Sequence, residues 1–103
     1  MSTKIKNIHP GDILIEEFLK PMQITVYRLG KETGLSQTRI AQIIRGERSV
    51  TAETALKLGK FFGVEPEFWL NLQNYYDLEE ANKQYKKDLD KIHDVRDLGL
   101  VPV

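Results

Sequence analysis

The chain has 103 residues, of which 41% are apolar, enough for one domain with a real core and too few for two ordinary ones. It contains no cysteine, which excludes disulfides, thiolate metal sites and thiol nucleophiles. Fifteen cations balance fifteen acids overall, yet the first fifty residues carry a net +3 and the remainder a net −3, so a local basic surface is available for phosphate attraction despite the neutral total.

The early apolar run Ile13-Leu14-Ile15 is far shorter than a signal h-region or the ~20 residues of a membrane span. The cytoplasm is therefore the expected location, with no membrane partner. Pro10 suits the first turn of a helix, where its missing N–H costs nothing. Ile13, Leu14, Phe18 and Ile15 give that helix an apolar face, and Pro21 is expected to close it, because the residue before a proline is pushed out of the α region. Thr25 reads as the N-cap of a second helix from Val26 to Thr33, with Gly34 as its left-handed end. Ser36 caps a third, Gln37 to about Arg45, which Gly46 stops. Thr51 caps a fourth, Ala52 to Phe62, with Ala55, Leu56, Leu58 and Phe62 as apolar positions; Gly59 weakens its interior and Gly63 ends it. Glu65-Pro66 opens a fifth, with Phe68, Trp69, Leu72, Tyr75 and Tyr76 on roughly one face. From Asp77 the chain becomes charge-rich, and Leu78, Ala81, Tyr85, Leu89 and Ile92 continue the helical period weakly before a frayed tail, Leu98 to Val103. The expected class is all-α, organised as a DNA-binding domain over residues 1–80 and a charged helical extension over 81–103.

The pair of helices from Val26 to Ile43 has the pattern of a helix-turn-helix. Two short helices crossing steeply need a small residue at their contact, which Gly30 supplies, and a turn residue with positive φ, which Gly34 supplies. Leu29, Leu35, Ile40 and Ile43 then point inward. Outward lie Gln37, Thr38, Arg39 and Gln42, side chains able to bond adenine, touch the thymine methyl or bond guanine in the major groove. Lys31, Ser36, Arg45 and Arg48 are the candidate phosphate contacts. Between Val26 and Arg48 the cations Arg28, Lys31, Arg39, Arg45 and Arg48 meet only Glu32 and Glu47.

Four stretches carry a resemblance. They are Ile8-His9-Pro10-Gly11-Asp12-Ile13-Leu14 with Glu17-Phe18-Leu19; the helix-turn-helix itself; Ser49-Val50-Thr51-Ala52-Glu53-Thr54-Ala55-Leu56 with Phe61-Phe62-Gly63; and Pro66-Glu67-Phe68-Trp69-Leu70-Asn71-Leu72-Gln73. In this order they resemble the HigA family of toxin–antitoxin antitoxins, within the larger XRE-type group of phage-repressor-like regulators. The resemblance implies five core helices, a homodimer and binding of double-stranded DNA at a palindromic operator in the module's own promoter. It also implies capture of a small basic toxin similar to the RelE-type mRNA endonucleases. The family's reading helix falls on Gln37, Thr38, Arg39 and Gln42. Glu65 departs from the pattern, standing where similar sequences often have a Ser or Thr cap.

The remaining features have bland alternatives. Phe68, Trp69, Leu72, Tyr75 and Tyr76 suit either the core or a dimer interface, since large rings dominate both. His9 and His93 lack further ligands at metal spacing and read as structural or surface residues. Asp77, Glu79, Glu80, Asp88, Asp90, Asp94 and Asp97 form a solvated face or attract a basic partner. No catalytic residue, cofactor or metal is expected, because no phosphate-binding glycine loop or HExxH motif is present. Two other functions fit the same residues: a solitary repressor without a toxin, and a neutralising protein whose DNA face is idle.

Overall fold

Six helices joined by short turns organise residues 6–100, the part of the chain described by the computed structural model. Helix α1 (residues 10–22) is α-helical over Pro10–Ile13, widens into a π-helix over Leu14–Leu19 and returns to α over Lys20–Met22. Then follow α2 (Val26–Thr33), α3 (Gln37–Ile44), α4 (Ala52–Phe62), α5 (Pro66–Gln84) and the single turn α6 (Lys86–Leu89). Residues 1–5 and 101–103, which hold the start of the expected DNA-binding domain and the end of the expected tail, lie outside the described residues.

Pro21 does not close the first helix. In the π segment the Lys20 N–H donates to the Ile15 carbonyl, five residues back. That widening relieves the clash between a proline ring and the carbonyl four residues before it, and Pro21 has no N–H to leave unpaired. The helix ends instead at Gln23, whose φ of 56° is left-handed. The other ends follow local chemistry. The Oγ1 of Thr25 accepts from the Arg28 N–H at 3.0 Å, and the Oγ of Ser36 accepts from the Arg39 N–H at 3.1 Å. The Oγ1 of Thr51 accepts from the Thr54 N–H at 3.4 Å. Glu65 makes no side-chain cap bond. Gly59 strengthens the fold locally: a Cβ there would lie 2.7 Å from the Val64 carbonyl oxygen, so its absence lets the chain double back tightly into α5.

The core is built from Leu14 and Leu19 of α1, Leu29 of α2, Leu35 of the turn, Ile40 and Ile43 of α3, Val50, Ala55 and Leu58, and Trp69 of α5. Leu56, expected among the apolar positions of α4, is exposed. Helix α5 packs against α4 and α1 through a stripe of Trp69, Gln73 and Tyr76. Gln73 is a buried polar latch. Its Oε1 accepts from the Val50 N–H at 2.7 Å and its Nε2 donates to Asp77 Oδ1 at 2.9 Å, so the segment entering α4 is pinned to α5. No helix among the described residues is long and apolar enough to cross a membrane.

His9 takes the structural role. Its Nδ1 accepts from the Gly11 N–H at 2.9 Å, while its own N–H donates to Asp12 Oδ2 at 3.2 Å. Its ring packs edge-on to Tyr76 at 4.8 Å. Burial lowers the His9 pKa below the usual 6.5, against the opposing pull of Asp12 and Asp77. The neutral ring is thus the native form, whereas the unfolded chain takes up a proton near 6.5. Stability contributed by His9 is fully present above pH 6.5 and is lost as pH falls below it toward the folded value. His9→Asn keeps a cap acceptor but cannot titrate in this range. The melting temperature of the wild type should fall more steeply between pH 7 and 5.5 than that of His9→Asn; parallel curves would remove His9 as the cause.

Candidate nucleic-acid interface

Helices α2 and α3 form the helix-turn-helix expected from the glycine pattern. Gly34 ends α2 with φ 79° and donates its N–H to the Gly30 carbonyl at 2.8 Å. Thr33 closes the corner: its hydroxyl donates to the Leu29 carbonyl at 2.6 Å and accepts from the Leu35 N–H at 3.3 Å. Gly30 lies at the point of approach, but its closest neighbour is in the turn rather than on α3. A Cβ added at Gly30 would sit 2.8 Å from the Leu35 carbonyl oxygen and 3.6 Å from Gln37 Cγ. The missing side chain therefore leaves room for both the turn and the stem of Gln37.

With Ile40 and Ile43 buried, α3 turns its other face to solvent. Gln37 and Thr38, in its first turn, are exposed. The N–H groups of that turn have no partner within the helix and sit at the positive end of its dipole. Ser36 is exposed too, with its hydroxyl committed to the Arg39 N–H. Arg39 and Gln42 are half-buried, and each is tied to a neighbouring segment. Arg39 Nη1 lies 3.4 Å from Glu53 Oε1 in the first turn of α4. Arg48 Nε donates to Gln42 Oε1 at 2.9 Å, linking the α3–α4 loop to the reading helix.

These contacts change the charge pattern read from the sequence. Arg28 pairs with Glu32 at 3.7 Å, Arg45 with Glu47 at 2.7 Å and Arg39 with Glu53. Lys31 and Arg48 are exposed and make no ion pair among the described residues. Glu53 lies outside the stretch counted for local charge, and no short-range spacing connects it to Arg39, so only the packing of α4 against the motif reveals it. The described residues hold no group of three or more side chains suited to a metal ion.

The aromatic set of α5 divides in two. At about 100° per residue, Trp69 and Tyr76 lie on the buried stripe, while Phe68, Leu72 and Tyr75 lie on the adjoining one. Trp69 is 0% exposed, so it belongs to the core of its own chain and does not form part of a dimer surface. The reason is the cluster around it, with Phe18 and Phe68 each at 5.1 Å and Phe62 at 6.2 Å. Tyr76 is half covered by His9, and its carbonyl accepts from Asn7 Nδ2 at 2.9 Å. Phe68 and Tyr75 remain exposed and Leu72 half-exposed.

The sequence matches the helix-turn-helix family over residues 15–69. It is 36% identical over 86 residues to antitoxin HigA-1 of Vibrio cholerae, an alignment covering 84% of this chain and 81% of that protein. Over 76 residues it is 47% identical to virulence-associated protein I of Dichelobacter nodosus, covering 74% of this chain and 70% of that one. The fold superposes on Pseudomonas aeruginosa antitoxin HigA, solved with the higBA promoter, with a TM-score of 0.82. Identity there is 34%, and the match covers 85% of this chain and 97% of that one. The chain belongs to the HigA family of helix-turn-helix antitoxins. As a HigA-family member it is a DNA-binding regulator, not an enzyme. The family match takes in α2, α3 and α4 whole and stops at Trp69, so most of α5 and all of α6 lie beyond it.

Proposed function

We propose that this chain represses its own toxin–antitoxin operon by placing α3 in the major groove of a palindromic operator, and that it neutralises a RelE-like mRNA-cleaving toxin. The observation that carries the DNA-binding half is the solvent-facing side of α3. Gln37 and Thr38 stand free in its first turn, Arg39 and Gln42 follow, and Ile40 and Ile43 anchor the opposite side. Gln37, Thr38, Arg39 and Gln42 read bases; Lys31, Arg45 and Arg48, with the N–H groups beside Ser36, hold phosphates. The likeness to a HigA solved with promoter DNA supports this reading. The toxin half rests on membership of an antitoxin family, and the acidic segment after Asp77 suits a basic partner.

The chain acts as a homodimer in this reading. Phe68, Leu72 and Tyr75 supply an apolar stripe on α5 for the contact. Footprinting on the DNA upstream of the gene should protect two half-sites one helical turn, about 34–36 Å, or a multiple apart. Arg48→Ala should weaken binding evenly across sequences and lower the salt slope by about one. An unchanged slope strikes Arg48 from the phosphate contacts. Co-purification with the neighbouring gene product tests the toxin half; footprint without co-purification indicates a solitary repressor, and the reverse indicates an idle DNA face.

A further inference from the structure

We propose that Glu53 is a specificity-determining positioning residue: its carboxylate braces Arg39 against α4 and turns it from DNA phosphate toward one base edge. The inference rests on the operator-reading role proposed for α3. Arg39 leaves the first turn of α3 and crosses to α4, where its Nη1 meets Glu53 Oε1 at 3.4 Å. The other carboxylate oxygen, Oε2, takes the Lys57 Nζ at 2.7 Å, one turn along α4. Glu53 is thus held from its own helix and cannot follow Arg39 freely. The hydrogen bond and charge of Lys57, followed by Arg39, hold this carboxyl below its ordinary range, so it stays ionised at neutral pH.

Two physical consequences follow. An unrestrained arginine loses much rotamer freedom when it engages a base, and a braced one loses less. An exposed carboxylate beside the reading helix also repels phosphate, so it penalises both unrelated DNA and any Arg39 rotamer that seeks the backbone. Stabilisation does not account for the arrangement, because ion pairs this exposed contribute little to folding. Lys31 and Arg48 have no acidic partner among the described residues, and Arg45 pairs only with Glu47 two positions on, whereas Arg39 is tied to a carboxylate on another helix.

The test uses the full chain, its footprinted operator, a set of operators each with one base pair changed, and an unrelated duplex, all at one salt concentration. Arg39→Ala identifies the base pair that Arg39 reads. Glu53→Gln should lower preference at that base pair by about fivefold or more, part of what a bidentate contact supplies, and should tighten binding to the unrelated duplex. Glu53→Asp, which keeps the charge, should retain weak binding to the unrelated duplex. In an Arg39→Ala background, Glu53→Gln should no longer alter the preference. If Arg39→Ala erases a preference that Glu53→Gln leaves intact, the bracing role is overturned while operator reading by α3 stands. If the wild type does not distinguish its operator from the unrelated duplex, the operator reading itself fails.

Discussion

Gly11→Ala should lower the melting temperature by about 12–24 °C, taking overpacking of about 3 kcal/mol and about 4–8 °C per kcal/mol for a domain of this size. A Cβ at Gly11 would run into the Ile43 carbonyl, 2.6 Å from its carbon, and would lie 2.9 Å from Ile44 Cα. Every one of these neighbours is backbone, so no side chain can rotate away. The start of α1 and the end of α3 would have to separate. Because α3 carries the proposed reading face, DNA affinity should fall along with stability. The same logic ranks the other glycines. Gly30→Ala meets the Leu35 carbonyl oxygen at 2.8 Å and should cost less. Gly34→Ala finds open space but must hold φ 79°, a strain of roughly 1–2 kcal/mol. Thermal melts of the three variants check the order. A Gly11→Ala protein that melts with the wild type would rule out the α1–α3 contact.

Trp69→Ala should remove about 3–5 kcal/mol, the cost of emptying a large buried aromatic site. Small domains have about 5–15 kcal/mol in total, so the variant should be only marginally folded. Trp69 sits among Phe18, Phe62 and Phe68, and it joins α5 to the end of α4 and to α1. Its indole Nε1 is buried and finds no hydrogen-bond partner among the described residues. Trp69→Phe should therefore cost much less than Trp69→Ala, because it fills part of the cavity and gives up no hydrogen bond. Denaturant titrations followed by far-ultraviolet circular dichroism give both differences. The chain has a single tryptophan, so wild-type fluorescence should shift to longer wavelength in the same transition. Equal losses for Phe and Ala would mean that the indole makes a polar contact after all.

The features legible in the sequence are those that act over a few residues. Thr25, Ser36 and Thr51 cap helices because a short hydroxyl side chain reaches an N–H three positions on. Gly34 and Gly63 end helices because they adopt positive φ without a Cβ clash. The spacing of Leu29, Leu35, Ile40 and Ile43 marks the inward side of the motif, and by difference its outward one. Pro21 misled because the same local rule has a second solution, a π turn, which was not evident from residue order. The aromatic set of α5 stayed open between core and interface for a related reason. Helical period puts Trp69 near Phe68 and Leu72, but which neighbour is covered depends on where α1 and α4 lie.

Residue order alone therefore determined the capped helices between Val26 and Phe62 and the helix-turn-helix with its glutamine, threonine and arginine face. Tertiary packing decided what those side chains are tied to. Arg39 meets Glu53, Arg48 holds Gln42, Gln73 reaches Val50 across 23 positions, and Gly11 presses on Ile43. The division has a physical cause. Capping and helix period are set by covalent reach along the chain, whereas a partner on another helix is chosen by the angle at which whole elements pack to bury Trp69 and the leucines around it.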